Sequence, residues 1–344
     1  MTQKIAVVGM SGGVDSSVCA SIAARAGYRV IGVMLQLKSP GAAREADEAA
    51  FAAVASCLNI ESRILPAPEF NQDVIRHCAL EYASGRTPNP CCECNVKVKF
   101  KRLLEFARSE YPGATVWTGH YANISNNMIC RGSDRGKDQS YFLYRLNPGS
   151  LQDIVMPLGK MTKDEVRRAA SELALPVFDR PDSQDVCFGV PGECCGETLR
   201  KLAGLPERIG YFLYNGKIVG SHRGVGKYTI GQRSKLGVAL GVPAYISKID
   251  PVSGDITLAT DSAALECRKF YLKDVTLHKG SLPEKAESQI RYRSRPTEVF
   301  LSRHNDMVAV ESPEPLRAVT PGQAGVIYAG DTLLGGGIIS LTAE

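Results

Sequence analysis

Ile5-Ala6-Val7-Val8-Gly9 leads directly into Ser11-Gly12-Gly13-Val14-Asp15-Ser16-Ser17, and this junction constrains the fold more than any other part of the chain. The apolar run reads as a buried parallel strand. Val18, Ile22 and Ala26 lie on one face of a helix that Gly27 stops. Between the two elements, glycines let backbone N–H groups converge on phosphate oxygens, and the helix N-terminus adds its positive end. Ser11, Ser16 and Ser17 can donate further hydrogen bonds. Asp15 would repel a phosphate unless a cation stands between them, and a Mg²⁺ bridge to a leaving pyrophosphate resolves that conflict. The lysine of a Walker loop is absent, which disfavours γ-phosphate transfer.

Further strands are expected at residues 30–35, at Ile64-Leu65 and at Val116-Trp117-Thr118-Gly119-His120. Helices are expected at 44–58 and 163–174. The alternation predicts an α/β domain with a doubly wound parallel sheet. After about residue 205 glycines multiply and short alternating stretches appear, such as Tyr211-Phe212-Leu213-Tyr214 and Asp255-Ile256-Thr257-Leu258, which read as small β modules. The expected division is residues 1–200 for a catalytic ATP pyrophosphatase domain, 205–262 for a central β-rich domain, and 263–344 for a C-terminal β-barrel.

The formal net charge of +5 is compatible with a polyanionic partner without requiring one. The sequence shows neither an export signal nor an apolar run long enough to span a bilayer, so the expectation is a cytoplasmic protein without a membrane partner. Its 11 cysteines would then be reduced, serving as nucleophiles or ligands rather than staples. Arg86-Thr87-Pro88-Asn89-Pro90-Cys91-Cys92-Glu93-Cys94-Asn95 presents three of them after two stiffening prolines. Lys97, Lys99, Lys101 and Arg102 follow, either as a solvated helix face or as charges that favour a thiolate and an RNA backbone. A third dense segment is Asp182-Ser183-Gln184-Asp185-Val186-Cys187-Phe188.

The Ser11–Ser17 motif resembles that of the N-type ATP pyrophosphatases, or PP-loop enzymes, which cleave between the α and β phosphates and leave AMP on a substrate oxygen. That group spans amide-forming ligases and several tRNA-modifying enzymes. Together with the cysteine motifs, the chain resembles the bacterial tRNA-uridine 2-sulfurtransferase (tRNA 2-thiouridylase) family over nearly its whole length. The shared landmarks include Gly9–Ser17, Arg86–Pro90, Thr118–Tyr121, Lys137–Leu143, Asp182-Ser183 and Cys187-Phe188. Tyr228–Arg233, Arg291-Tyr292-Arg293 and Val319–Gln323 complete them.

The resemblance implies ATP-dependent replacement of O2 by sulfur in the wobble uridine of tRNAs for lysine, glutamate and glutamine. It implies ATP contacts at Gly9, Met10, Ser11, Gly12, Gly13, Val14, Asp15, Ser16, Met34 and Gly119. It implies tRNA contacts at Asn89, Pro90, Cys91, His120, Lys137, Asp138, Gln139, Arg291, Tyr292 and Gln323. By the family scheme Cys187 carries a persulfide and Cys94 releases its sulfur, with Asp15 at the nucleotide. The sulfur donor would be a relay protein, a cysteine desulfurase or free sulfide.

Cys91 departs from the family pattern, which has Asp at this position. Cys91, Cys94 and Cys187 could instead hold a [4Fe–4S] cluster with one open iron that binds hydrosulfide, while zinc lacks a fourth ligand. The persulfide and cluster routes both stand on the sequence. The rivals are another adenylating PP-loop enzyme and a non-catalytic RNA-binding Fe–S protein. Cys194-Cys195 reads as a second thiol relay or as two structural cysteines. Cys19, Cys57, Cys78, Cys130 and Cys267 read as small core residues. The stretch Lys38–Gly41 is shorter than the family norm.

Overall fold

In the computed structural model, residues 3–38, 41–182 and 186–343 are described. Ser39 and Pro40 of the shortened stretch, and Ser183, Gln184 and Asp185 of the third motif, lie outside the described residues. The contacts divide the chain into two units. One is drawn from Met1–Phe70, Cys91–Phe188 and Asp331–Leu333, the other from Asn71–Pro90, Gly189–Gly330 and Leu334–Glu344.

The first unit is built on β1 (Ile5–Gly9), β2 (Arg29–Gln36), β3 (Glu61–Pro66), β4 (Thr115–Thr118), the β5–β6 hairpin (Ala122–Ser125, Met128–Arg131) and β7 (Ile154–Val155). Five strands form an all-parallel sheet in the order β3-β2-β1-β4-β7. Ala6, Val7 and Val8 are fully buried, as a central parallel strand covered on both faces requires. Helix Val14–Arg25 follows β1 and helix Ala42–Cys57 follows β2. The strand order reverses direction between β1 and β4, so a crevice opens beyond their carboxyl ends, where ligands bind in such sheets. The doubly wound sheet expected from the sequence is the sheet observed.

The second unit is mostly β. β8 (Gly210–Tyr214), β9 (Lys217–His222), β10 (Tyr245–Ile249) and β11 (Ile256–Ala259) form a four-stranded sheet in the order β10-β11-β8-β9. Its core is Phe212, Leu236, Ile246, Ile249, Ile256 and Leu258. The last six strands are β12 (Glu266–Leu277), β13 (Lys285–Gln289), β14 (Thr297–His304), β15 (Met307–Arg317), β16 (Ala324–Ala329) and β17 (Thr332–Ser340). They run in the order β12-β15-β14-β13-β16-β17 and close where β12 pairs with β17. That seam explains the Gly335-Gly336-Gly337 triplet. A Cβ on Gly335 would lie 2.4 Å from the Thr276 carbonyl oxygen, and one on Gly337 would lie 2.6 Å from that of Lys273. Closure removes the exposed edges of the sheet. Among the described residues, no helix is long and apolar enough to cross a membrane.

Candidate active site

The phosphate loop occupies the crevice. Gly13 caps helix Val14–Arg25 with extended backbone and no side-chain hydrogen bond, which leaves the helix's first N–H groups to a ligand. The loop is stiffened from within. Ser16 Oγ accepts from Ser11 N at 3.2 Å and donates to Gly13 O at 3.1 Å, and Ser17 Oγ donates to Gly13 O at 2.8 Å. Gly12 has φ +73, and its Cβ would collide with the Asp47 carbonyl oxygen at 2.7 Å. Gly119, just after β4, abuts the same loop, because a Cβ there would meet the Asp15 carbonyl carbon at 2.9 Å. Met10 and Met34 are buried beside it, at 3% and 5% exposure.

A charged network surrounds Asp15. Its Oδ1 accepts from Lys163 Nζ at 2.6 Å and from Tyr121 Oη at 2.7 Å. The same Lys163 ammonium lies 2.9 Å from Asp182 Oδ1, which also accepts from Arg167 at 2.5 Å. Lys137 reaches Asp182 Oδ2 at 2.9 Å. Burial disfavours ionisation of Asp182, but the hydrogen bonds and charges of Lys163 and Lys137 outweigh it and hold the carboxyl down to about 2. Burial, then the Asp15 carboxylate, raises the Tyr121 hydroxyl, so it stays a donor. Lys163 stands at the first turn of helix Lys163–Glu172, which is fixed by a Thr162–Glu165 capping box. Arg180 pins the other side of the loop, donating to Gly12 O at 2.7 Å and pairing with Asp47. Lys38 reaches Asp47 at 2.6 Å.

Lys163 and Arg180 went unnoticed in the sequence as site residues. Lys163 reads as an ordinary polar helix start, and its only signal is the adjoining capping box. Arg180 directly, and Asp182 through Lys163, are thus tied to the phosphate loop.

The cysteines come next. Helix Pro90–Cys94 passes straight into a π-helical turn, Asn95–Lys99, and then helix Phe100–Glu110. π-turns are rare and concentrate at functional sites. Buried side chains on both flanks anchor Cys94. Glu93 pairs with Arg145 and, at 2.8 Å, with Lys97, and Asn95 Nδ2 donates to Phe142 O at 3.2 Å. Cys94 is 4% exposed and Cys92 2%, whereas Cys91 is half-buried and Cys187 exposed.

Burial pushes the Cys94 thiol up to about 12, opposed by the Lys99 ammonium and by the Lys99 backbone amide that donates to the sulfur. Burial also raises Cys91 and Cys187, again opposed by Lys99. Cys187 is exposed by area, yet protein crowds its sulfur on most sides, and Lys38 adds a second opposing charge. Burial works against the Lys99 charge, and the sulfurs more than restore it. One ammonium therefore serves all three thiols, a role hidden in the basic run Lys97–Arg102. Its neighbours there are ordinary, since Lys97 pairs with Glu93 and Arg102 with Glu69.

Among the described residues, no three His, Cys, Asp or Glu side chains stand together as a set able to hold a metal ion. Lys99 supplies positive charge near all three sulfurs.

The residues assigned to RNA fall into two groups. In the first unit, His120 Nδ1 lies 2.9 Å from Thr118 Oγ1, and its ring stacks on Phe100 at 5.4 Å. Burial, then Lys99, lowers its pKa to about 3. Asp138 is buried, accepting from Gly132 N, Ser140 N, Ser140 Oγ and Arg131. Gln139 exchanges hydrogen bonds with Tyr121.

In the second unit, Arg86–Pro90, Tyr228–Arg233, Arg291–Arg293 and Val319–Gln323 meet. Thr87 N donates to Pro321 O at 2.9 Å, and Thr87 Oγ1 to Thr229 Oγ1 at 3.3 Å. Arg291 donates to Ile230 O, Ala318 O and Thr320 Oγ1. These motifs hold one another as well as whatever they bind. Of the remaining cysteines, Cys19 and Cys78 are buried as expected, but Cys57 is exposed. Cys194 and Cys195 start helix Cys195–Leu202, and Cys195 hydrogen-bonds Tyr82.

A family model described as the tRNA methyl transferase HUP domain matches residues 3–190. The tRNA methyl transferase PRC-barrel domain matches 204–260, and the aminomethyltransferase beta-barrel domain matches 267–339. The tRNA-specific 2-thiouridylase of Microcystis aeruginosa is 39% identical over 97% of this chain and 98% of its own length. That of Nostoc punctiforme is 39% identical over 98% and 99%, and that of Carboxydothermus hydrogenoformans 39% over 98% of each. With the phosphate loop, the paired cysteine motifs and the two β modules in the same order, the chain belongs to the tRNA-specific 2-thiouridylase family.

Proposed function

We propose that this protein is an ATP-dependent tRNA-uridine 2-sulfurtransferase that delivers sulfur through a persulfide. The observation that carries the reading is the tie between the two chemistries: Arg180 and Asp182, the latter five residues before Cys187, are fastened to the phosphate loop. O2 of the wobble uridine attacks the α-phosphate of ATP, and pyrophosphate leaves. The product is an O2-adenylated base, whose AMP is a far better leaving group than oxide. The loop amides, Ser11 and Lys163 take the charge that develops on the phosphates. Mg²⁺ fits beside Asp15, whose hydrogen bonds among the described residues all fall on Oδ1. Asp15 would hold the ion through Oδ2, and when bound it neutralises pyrophosphate charge.

The Cys94 thiolate attacks Sγ of the Cys187 persulfide, forming a Cys94–Cys187 disulfide and expelling hydrosulfide. Hydrosulfide adds to C2, and AMP departs with the original oxygen. A thiol reductant then restores both cysteines. The buried, high-pKa Cys94 is suited to this order, since it is a poor nucleophile until Lys99 and an arriving base reorganise its surroundings. The Cys91 thiol lies in the same field of Lys99. The uridine must leave its stack to reach these groups, against Asn89, Pro90 and Cys91. The tRNAs for lysine, glutamate and glutamine are the proposed substrates, a cysteine desulfurase or relay protein the proposed donor, and the cytoplasm the proposed location.

The test is to incubate the protein with ATP, Mg²⁺, an unmodified lysine tRNA transcript, a cysteine desulfurase and cysteine, then digest the tRNA for nucleoside mass spectrometry. The expected result is 2-thiouridine at the wobble position with AMP and pyrophosphate in equal amounts. Pyrophosphate release that needs ammonia or an amino acid, and not tRNA, would identify an amide-forming ligase instead.

A further inference from the structure

A cleft opens within the second unit, over the four-stranded sheet. It measures about 490 Å³, with Arg233, Lys235 and Val242 at its rim and Leu236, Val238 and Leu258 among its lining. The segment that forms it is held at its base. Gly231 N donates to Ile246 O at 2.8 Å and Ile246 N to Gln232 O at 3.0 Å, while Thr229 N donates to Gln232 Oε1 at 3.1 Å. Leu236 is buried in the core of the sheet, and Val238 and Leu240 pack against it. Beyond these anchors the chain is open. Arg233 and Lys235 are exposed and make no ion pair among the described residues, and Val242 is 54% exposed. Lys235 holds a left-handed backbone with φ +58, a conformation that costs a non-glycine residue free energy and that clusters at ligand sites.

The charge of this module is lopsided. Residues 204–260 contain seven Lys and Arg against three Asp and Glu, four of the chain's five net positive charges. Asp250 accepts from backbone amides of its own turn, and Asp255 from the Tyr211 amide of β8. The cleft therefore offers an aliphatic floor under a rim of two unpaired cations. Single-stranded nucleic acid has the complementary form, with apolar base faces beside phosphates, and an arginine guanidinium can also stack on a base.

We propose that this cleft is an RNA subsite that takes an unstacked nucleotide of the tRNA, its phosphates on Arg233 and Lys235 and its base on Leu236, Val238 and Val242. The assignment rests on the thiolation reading for the identity of the RNA. It adds a second anchor remote in sequence from the reacting base, which fixes how the substrate is held.

The test measures fluorescence anisotropy of labelled, unmodified lysine tRNA transcript with the full chain, from low to moderate salt. Arg233→Ala/Lys235→Ala is expected to weaken binding about tenfold at low salt. It should also reduce the slope of log K against log salt by about 2, at ~0.9 per phosphate contact. Val242→Asp, which leaves both cations in place, should weaken binding through repulsion within the cleft. Unchanged melting curves for both variants exclude a folding defect as the cause. A double variant and a Val242→Asp variant that both bind as the unaltered chain does, with the same slope, would overturn the subsite while leaving thiolation standing. An unaltered chain that binds no tRNA would overturn the thiolation reading and the subsite with it.

Discussion

Lys163 lies 2.6 Å from Asp15 Oδ1 and 2.9 Å from the Asp182 carboxylate, so one ammonium joins the phosphate loop to Asp182, five residues before Cys187. Without it, Asp15 would face the phosphates with Tyr121 as its only protein donor among the described residues, and Asp182 would keep Lys137 and Arg167. Lys163→Met is expected to lower the rate of tRNA-dependent pyrophosphate release by about 100-fold, the scale of losing one charged group from a transition state. ATP affinity should change far less. Equal losses in both would show that Lys163 only assists binding.

The depressed pKa of Asp182 gives a stability signature. A carboxyl held at about 2 in the folded state, below its ordinary value near 3.8, stabilises the fold at all pH values above the latter. That contribution disappears as the pH falls from about 4 toward 2. Asp182→Asn should remove this part of the acid transition, so denaturant melts of the two proteins should converge as the pH approaches 2.

His120 acts on a different range. Its folded-state pKa, lowered to about 3 by burial and then by Lys99, is below the ordinary 6.5, so the unfolded chain binds the extra proton first. Stability is therefore lost progressively as the pH falls from about 6.5 toward 3. His120→Gln, which keeps a polar partner for Thr118, should flatten that loss. An imidazole resonance titrating near 6.5 in the folded protein would contradict this environment.

Glu93 is buried and paired with Arg145 and Lys97 just before Cys94. Arg145→Met should destabilise the protein by about 3 kcal/mol, because it leaves a buried carboxylate short of its partner. Urea unfolding measures this, and the double change Glu93→Gln/Arg145→Met should recover part of the loss.

Much of the first unit was legible because central parallel strands are continuous apolar runs and the phosphate loop has a fixed order of strand, glycines and helix. The residues at 5–9, 29–36 and 115–118 fold as that pattern requires. Lys163 and Arg180 were not legible, and Lys99 was legible only as one of four charges that would favour a thiolate. Each is a basic residue on an ordinary polar stretch, and its role comes from partners 148, 168 or 5 residues away that only the fold brings near. Asp138 and Arg291 show the opposite. Their motifs stand out in the sequence, and only the fold shows that their charged groups also bond backbone and side chains of the protein itself.

The most direct test of the account follows sulfur itself. The protein is loaded from a cysteine desulfurase with ³⁵S-cysteine, freed of donor, and chased with ATP, Mg²⁺ and tRNA in a single turnover. The account predicts label on Cys187 before the chase, then label in 2-thiouridine together with a Cys94–Cys187 disulfide. In Cys94→Ser the label should load and stay on Cys187, and in Cys187→Ser it should not load. Transfer of label to tRNA by Cys94→Ser at the unaltered rate, or loading that depends on bound iron, would contradict the persulfide route.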